Sequence, residues 1–141
     1  MGDDWPRPML TADVVALAGE RVLLIQRGNP PFAGEWALPG GFVDERERTR
    51  AAAGRELREE TGLEAAGLTL IGVYDAADRD PRGWSVSVAY LARFDTEPAV
   101  AGGDDAVDAR WFPVGNLPPV AFDHAEIIAD GLAAATRRPD G

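Results

Sequence analysis

The segment from Thr49 to Thr61 constrains the fold most, because its composition predicts one helix in the middle of the chain. Alanine, leucine, arginine and glutamate dominate it, and these residues favour helices. Gly62 follows where a glycine commonly ends a helix in the left-handed conformation. The runs on either side are apolar or β-branched, so we expect this helix to pack on a sheet.

Five runs of apolar, β-branched or aromatic residues predict strands, over residues 10–17, 22–26, 69–74, 84–94 and 109–112. Gly19-Glu20 separates the first two runs and predicts a hairpin. A second helix is predicted over 124–135, with Asp123 and Glu126 at capping-box positions. Strands mixed with two helices predict an α/β fold in which a mixed sheet is covered on both faces.

The length of 141 residues fits one domain, so we treat 1–141 as a single domain with polar tails at 1–8 and 136–141. The chain has no cysteine, which excludes disulfides, thiolate nucleophiles and cysteine-based zinc sites. No apolar stretch is long enough to span a membrane, and the acidic start does not resemble a signal peptide. We therefore expect a cytoplasmic protein with no membrane partner.

The charge balance limits the partners. There are 24 acidic and 14 basic residues, for a formal net charge of −10. This balance argues against binding nucleic-acid polymers, because a basic face supplies most of that affinity. Small anionic substrates remain compatible with it, since clustered carboxylates can hold divalent cations that reverse the local sign of charge.

Three carboxylates share one side of the predicted central helix. Glu56, Glu59 and Glu60 are spaced by three and four residues and project within an arc of about 100°. Their repulsion costs about 0.2–0.5 kcal/mol per pair at i,i+4, which a bound cation would offset. Carboxylates are the hard ligands that Mg²⁺ or Mn²⁺ prefers. The alternative is a solvated helix face of mixed charge.

Two neighbouring features fit a metal site. Arg55 lies beside Glu56 and four residues before Glu59, so it can orient a carboxylate. Gly40 and Gly41 allow the preceding loop to run close to the helix, where a backbone carbonyl can reach the same metal.

The full pattern from Gly41 to Leu63 is G-x5-E-x7-R-E-L-x-E-E-x-G-L, and a chance match is on the order of 10⁻⁸ per window. At every defining position it resembles the box of the Nudix family. The resemblance implies an α/β/α sandwich with a mixed central sheet. It also implies Mg²⁺-dependent (or Mn²⁺-dependent) hydrolysis of a nucleoside diphosphate linked to another moiety. One departure is visible, because Arg46 precedes Glu47 where the family commonly has glycine.

The resemblance also implies roles for individual residues. Glu56, Glu59 and Glu60 correspond to metal-ligating carboxylates, and Gly40 corresponds to the residue whose carbonyl often joins them. Our hypothesis is that Glu56 and Glu60 hold the principal metal, while Glu59 binds or positions a second one. Arg55 would act beside them by orienting a carboxylate.

The general base is predicted in the loop before the last strand, from which Nudix enzymes often take a base or a further metal ligand. Asp105 is our first candidate and Asp104 the second, with Glu47 contributing from the box. The alternative for each is a solvated acidic turn. His124 lies in the first turn of the last helix, where the positive end of the helix dipole disfavours its charged form, and we favour a structural role for it.

Three arginines are candidates for substrate binding, namely Arg27, Arg79 and Arg82. Arg79 and Arg82 can fork onto a terminal phosphate or ribose hydroxyls, and the alternative is a salt-bridged turn. A calcium loop starting at Asp78 is excluded, because Ala89 stands where the closing glutamate belongs. Several aromatic residues could stack on a base, although packing is their more common role: Phe32, Trp36, Tyr74 and Trp84.

Residues 79–90 and 121–128 resemble the bacterial ADP-ribose pyrophosphatase branch of the family. That branch splits ADP-ribose into AMP and ribose 5-phosphate, and it favours a homodimer. Pyrophosphohydrolysis of oxidised or ordinary nucleoside triphosphates is the alternative activity. A non-catalytic nucleotide-sensing module is a third possibility, although such modules usually lose box carboxylates and need a DNA-binding extension for which we see no room.

Overall fold

A ten-residue strand, β1 (Met9–Ala18), forms the centre of the sheet. The computed structural model describes residues 5–103 and 106–137. Within these ranges the other elements follow in chain order: β2 (Arg21–Arg27), β3 (Trp36–Ala37), β4 (Gly40–Phe42), α1 (Thr49–Thr61), β5 (Thr69–Tyr74), β6 (Ser85–Phe94), β7 (Ala106–Pro113) and α2 (His124–Thr136).

The sheet is mixed, as predicted. β1 and β6 run parallel over their whole length, from Met9 beside Ser85 to Ala18 beside Phe94. β2 forms the predicted antiparallel hairpin with β1, and Gly19 takes a positive φ of 58° in the turn. β3 and β7 pair with β2, β4 pairs with β1, and β5 pairs with β6. All of these latter pairings are antiparallel.

Helices cover both faces of the sheet. α1 packs on one face through Ala53 and Leu57, which are fully buried. α2 packs on the other face through Ile127 and Ile128. Burying one leucine or isoleucine side chain stabilises the fold by about 1.5–3 kcal/mol. The expected α/β/α sandwich is thereby confirmed. No helix in the described ranges is both long and apolar enough to cross a membrane.

Local differences from the prediction have identifiable causes. β7 begins at Ala106 instead of residue 109, because it continues pairing with β2 as far as Arg27, past a register shift. The capping box at α2 does not form, since Asp123 makes no side-chain cap hydrogen bond. Its carboxylate oxygens instead accept hydrogen bonds from Arg79 at 2.6 and 2.9 Å. A charge-assisted, bidentate pair outcompetes the cap.

Arg46, where the family commonly has glycine, adopts the left-handed conformation with φ 69°. Its side chain is 89% exposed and its ion pair with Glu45 is long, at 3.7 Å.

We expect Arg46→Gly to raise the free energy of unfolding by about 0.5–1 kcal/mol, because relief of left-handed strain outweighs the added entropy of the unfolded chain. Urea denaturation measures the change. Arg48→Gly is the control, since Arg48 has an ordinary φ of −77° and should bring no gain; a loss of stability in Arg46→Gly would contradict the strain argument.

Candidate metal and phosphate site

Glu56 and Glu60 lie on the side of α1 that faces the glycines of β4. The Glu60 residue is 7% exposed, and its Oε1 accepts a hydrogen bond from the Gly40 N–H at 2.8 Å. A Cβ added to Gly41 would lie 2.6–2.7 Å from the Glu56 carboxylate. A side chain at position 41 would therefore have to displace the Glu56 carboxylate from its present place. The expected close approach of loop and helix is present in the structure.

Arg55 is the centre of the carboxylate cluster. Its Nε and Nη2 donate to Glu47 at 2.8 and 2.9 Å, and its Nη1 donates to Glu56 at 2.9 Å and Glu59 at 3.1 Å. A further hydrogen bond to the Phe42 carbonyl, at 3.0 Å, fixes the guanidinium plane. Arg55 offsets part of the repulsion within the cluster, alongside the cation that the sequence predicts. The same contacts orient Glu56, as the sequence predicts.

The electrostatics of the cluster appear in two pKa shifts. The hydrogen bonds from Arg55, with a further one from the Asp44 N–H, lower the pKa of Glu47 from its ordinary 4.5 to about 2. The hydrogen bonds that Arg55 donates to Glu47 and Glu56 in turn raise the pKa of Arg55. Glu47 and Arg55 therefore stay charged across the physiological range and join the loop before α1 to the helix.

The lowered pKa of Glu47 predicts how stability changes with pH. A folded-state pKa below the unfolded value stabilises the fold above pH 4.5, and this contribution is lost as pH falls from 4.5 toward 2. We expect the difference in Tm between the wild type and Glu47→Gln to be largest above pH 4.5 and to shrink below it. Glu64→Gln removes only an exposed ion pair with Arg58 and should leave the slope unchanged. A difference in Tm independent of pH would contradict the assignment.

The donor set fits a hard divalent cation. Glu56 and Glu60 supply carboxylate oxygens beside the backbone of β4, and water or substrate oxygens suit the remaining positions around Mg²⁺ or Mn²⁺. Within residues 5–103 and 106–137, no three His, Cys, Asp or Glu side chains are already grouped closely enough to hold a metal. Glu59, the third box carboxylate, has a side chain that is 41% exposed and bound to Arg55. The Gly40 carbonyl stays a predicted ligand.

The loop before β7 runs against the end of α1. A Cβ on Gly103 would lie 2.6 Å from the Glu59 carbonyl oxygen, so this backbone touches the turn that carries Glu59 and Glu60. Asp104 and Asp105, the candidate bases, lie outside the described residues, and their roles stay predictions.

All three predicted substrate arginines line the same cleft as the carboxylates, Arg79 only in the smaller of its two cavities. Adjoining cavities of about 70 and 320 Å³ share Arg27, Arg82, Glu60 and the two glycines of β4 among their lining residues. Arg27 lies at the end of β2, and its Nε donates to the Pro31 carbonyl at 2.7 Å. A larger cavity of about 470 Å³ lies between β5 and α2, but it contains none of the box residues. We place the site at the cleft, because box carboxylates and arginines line it together.

Arg79 is held inside the protein. The residue is 9% exposed, and its guanidinium binds the Asp123 carboxylate and, at 2.8 Å, the Ser85 hydroxyl. These contacts join the loop of residues 75–83 to the start of α2. The geometry matches the alternative of a salt-bridged turn, and direct contact of Arg79 with substrate stays a prediction.

Arg82 is oriented by its neighbour Asp80. The Arg82 Nε and Nη2 donate to the two Asp80 oxygens at 3.1 and 2.8 Å. Burial alone would raise the pKa of Asp80, but the hydrogen bonds from Arg82 outweigh burial and hold it below its ordinary value. Arg82 is thereby fixed at the mouth of the cleft as a permanent cation.

His124, Asp13 and Ser87 form a buried polar group, of which His124 and Asp13 line the smaller cavity of the cleft. The His124 Nδ1 accepts a hydrogen bond from the Leu38 N–H at 3.0 Å, which leaves the proton on Nε2, 3.9 Å from the Asp13 carboxylate. The Ser87 hydroxyl donates to the same carboxylate. Burial lowers the pKa of His124, so the imidazole is neutral and fixes the backbone of Leu38 in the link between β3 and β4. This geometry agrees with the structural role we favoured.

Sequence reasoning missed Asp13. It lies in the apolar run that forms β1, where its neighbours are fully buried. A lone carboxylate within such a run was the available signal, because a buried charge needs specific partners. Asp13 packs directly against Gly40 and lines the smaller cavity of the cleft.

Comparisons with known proteins agree with this geometry. A model described as the NUDIX domain matches residues 7–131. An ADP-ribose pyrophosphatase of Methanocaldococcus jannaschii is 43% identical over 123 residues, which cover 87% of this chain and 72% of that protein. The solved NUDIX domain of Shewanella oneidensis NrtR, complexed with ADP ribose, has a TM-score of 0.88 at 32% identity. This match covers 94% of this chain and 92% of that one.

A third similar protein carries a metal. It is a bifunctional NMN adenylyltransferase/ADP ribose pyrophosphatase from Francisella tularensis, solved with AMP and a manganese ion. Its TM-score is 0.80 at 29% identity, over 92% of this chain and 42% of that one. Other similar proteins are also longer than the part that this chain matches. The chain spans 55% of one curated relative and 64% of one solved chain.

Proposed function

Because this chain belongs to the NUDIX family, we propose that it hydrolyses the pyrophosphate bond of a nucleoside diphosphate derivative, with ADP-ribose as the main substrate. The products would be AMP and ribose 5-phosphate. One observation carries the proposal. Two carboxylates, Glu56 and Glu60, and two arginines, Arg27 and Arg82, line one cleft.

The proposed cofactor is Mg²⁺ or Mn²⁺. When bound, such an ion lowers the pKa of a coordinated water and neutralises charge on phosphoryl oxygens. Glu56 and Glu60, with the Gly40 carbonyl, would hold the principal ion, and Glu59 would serve a second one after leaving Arg55. The support is the set of hard oxygen donors beside β4, together with manganese in the Francisella tularensis protein.

The chain's other residues have roles that do not depend on the number of metals. Arg27 and Arg82 would bind the substrate phosphates, since a guanidinium can donate two parallel hydrogen bonds to phosphate oxygens. Arg55 keeps Glu56 and Glu47 in place through its hydrogen bonds. Asp105 stays our candidate for the base that removes the proton from the attacking water. A homodimer and a cytoplasmic location are also proposals, taken from the family resemblance and the composition.

A substrate panel tests the proposed function. ADP-ribose, NADH, a diadenosine polyphosphate and oxidised deoxynucleoside triphosphates are each incubated with the protein and Mg²⁺, Mn²⁺ or EDTA. We expect AMP release from ADP-ribose to be fastest and to stop with EDTA. Preference for the oxidised triphosphates would favour the alternative activity. If no substrate is cleaved but calorimetry detects ADP-ribose binding, the chain is a sensing module.

A further inference from the structure

The ring of Phe122 contacts two of the arginines that line the cleft, Arg27 and Arg82. The Arg27 Cζ is 5.1 Å from the centroid of its ring, and the Arg82 Cζ is 5.7 Å from it. The three residues come from separate segments, namely the end of β2, the loop of residues 75–83 and the residues before α2. The Phe122 ring therefore contacts two guanidinium groups, those of Arg27 and Arg82, that come from distant parts of the chain.

The backbone of Phe122 shows that the fold holds this ring in place against a local preference. Phe122 has φ 54°, and Phe32, whose ring meets it edge-on at 4.9 Å between centroids, has φ 62°. Among the described residues, the only other non-glycine residue with positive φ is Arg46. Bulky residues rarely adopt this conformation, and it persists where the surroundings enforce it, often at functional sites.

Contacts on both sides enforce the conformation of Phe122. The Ala121 N–H donates to the Trp36 carbonyl at 2.8 Å, which ties the preceding residue to β3. The Asp123 carboxylate is bound by Arg79, which ties the following residue to the loop that carries Arg82. Because the Asp123 carboxylate binds Arg79, it does not cap α2. These contacts on either side hold the backbone of Phe122, and with it the position of its ring.

Stacking on a ring orients a guanidinium without using its hydrogen-bond donors. The flat face of the guanidinium meets the ring, while its N–H groups point outward along the edges. Each arginine has five such N–H donors, and Arg82 directs two of them to Asp80. Phe42 lies on Arg82 as well, with its centroid 5.4 Å from Cζ. The rings therefore limit where the remaining N–H groups can point.

We propose that Phe122, supported by Phe32, is a positioning residue for substrate binding, which holds Arg27 and Arg82 at the cleft in the orientation in which they bind the substrate phosphates. The inference rests on the proposed function in one respect, since it takes these arginines as the phosphate ligands. Phe122 acts through the arginines and takes no part in the reaction of the water. Its loss should weaken substrate binding and leave turnover at saturation nearly intact.

Steady-state kinetics with ADP-ribose and Mg²⁺ test this role. Phe122→Leu keeps an apolar side chain without the ring, and we expect KM to rise about tenfold while kcat stays within about twofold. Phe122→Tyr keeps the ring and should retain a KM near that of the wild type. Phe94→Leu is the matched control, because it removes a ring that packs on Trp111 away from the cleft. If Phe122→Leu folds poorly, Phe122→Asn replaces it, since asparagine tolerates positive φ.

A double-mutant cycle separates positioning from a general loosening of the loops. Arg82→Met is combined with Phe122→Leu, and we expect the two increases in KM to combine less than multiplicatively, since the ring acts partly through Arg82. An unchanged KM in Phe122→Leu overturns the inference, and so does strict multiplicativity. Failure of the proposed function looks different, because the wild type itself would then not cleave ADP-ribose.

Discussion

Replacement of Glu60 by glutamine is expected to lower kcat for ADP-ribose about a thousandfold, which corresponds to about 4 kcal/mol of lost transition-state stabilisation. Glutamine has the same shape, and its side-chain oxygen can still accept the hydrogen bond from the Gly40 N–H. The negative charge that would bind the metal is lost. The variant therefore isolates the metal-binding role of Glu60, and kcat at saturating ADP-ribose and Mg²⁺ measures it.

The control for this prediction is Glu64→Gln, which removes a carboxylate three residues beyond α1 in an exposed ion pair. It should leave kcat unchanged. A second readout is independent of turnover, because Mn²⁺ should raise the Tm of the wild type and have little effect on Glu60→Gln. A kcat within tenfold of the wild type, or an equal rise in Tm in both proteins, would remove Glu60 from the metal site.

Gly40→Ala is expected to have the largest effect on stability, with a loss of about 3 kcal/mol in the free energy of unfolding. The added Cβ would overlap the Asp13 carboxylate and lie 2.5 Å from the Ala12 carbonyl oxygen. Both groups belong to the buried central strand, which pairs with β4 at this point, so neither can move cheaply. We also expect kcat to fall, because the displaced strand carries the N–H that holds Glu60. Denaturant unfolding and steady-state kinetics measure the two effects.

Gly67→Ala is the matched control, since no atom lies within 4 Å of a Cβ added there. It makes the same chemical change in an exposed loop and should alter the free energy of unfolding by less than about 0.5 kcal/mol. Equal effects of the two substitutions would show that the contact between β4 and the central strand is looser than the structure indicates.

The sequence was sufficient where the signal is local. The helix predicted over residues 49–61, with its end at Gly62, agrees with α1 at both ends. The glycine has the expected positive φ of 80°, because a left-handed residue completes the last hydrogen bonds of the helix. The spacing of Glu56 and Glu60 likewise implied that they share one side, since helical geometry follows from the number of residues between them.

By itself, then, the sequence determined the two helices, most strands, and the family to which the carboxylate pattern belongs. Only the tertiary structure decided that Asp123 binds Arg79 instead of capping its own helix, and that Phe122 joins Arg27 to Arg82. Only the tertiary structure also showed that Asp13 packs against Gly40. The physical reason is that these contacts join residues 27 or more positions apart in the chain, and no helical or strand period encodes such distances. They form only when the sheet brings its strand ends together.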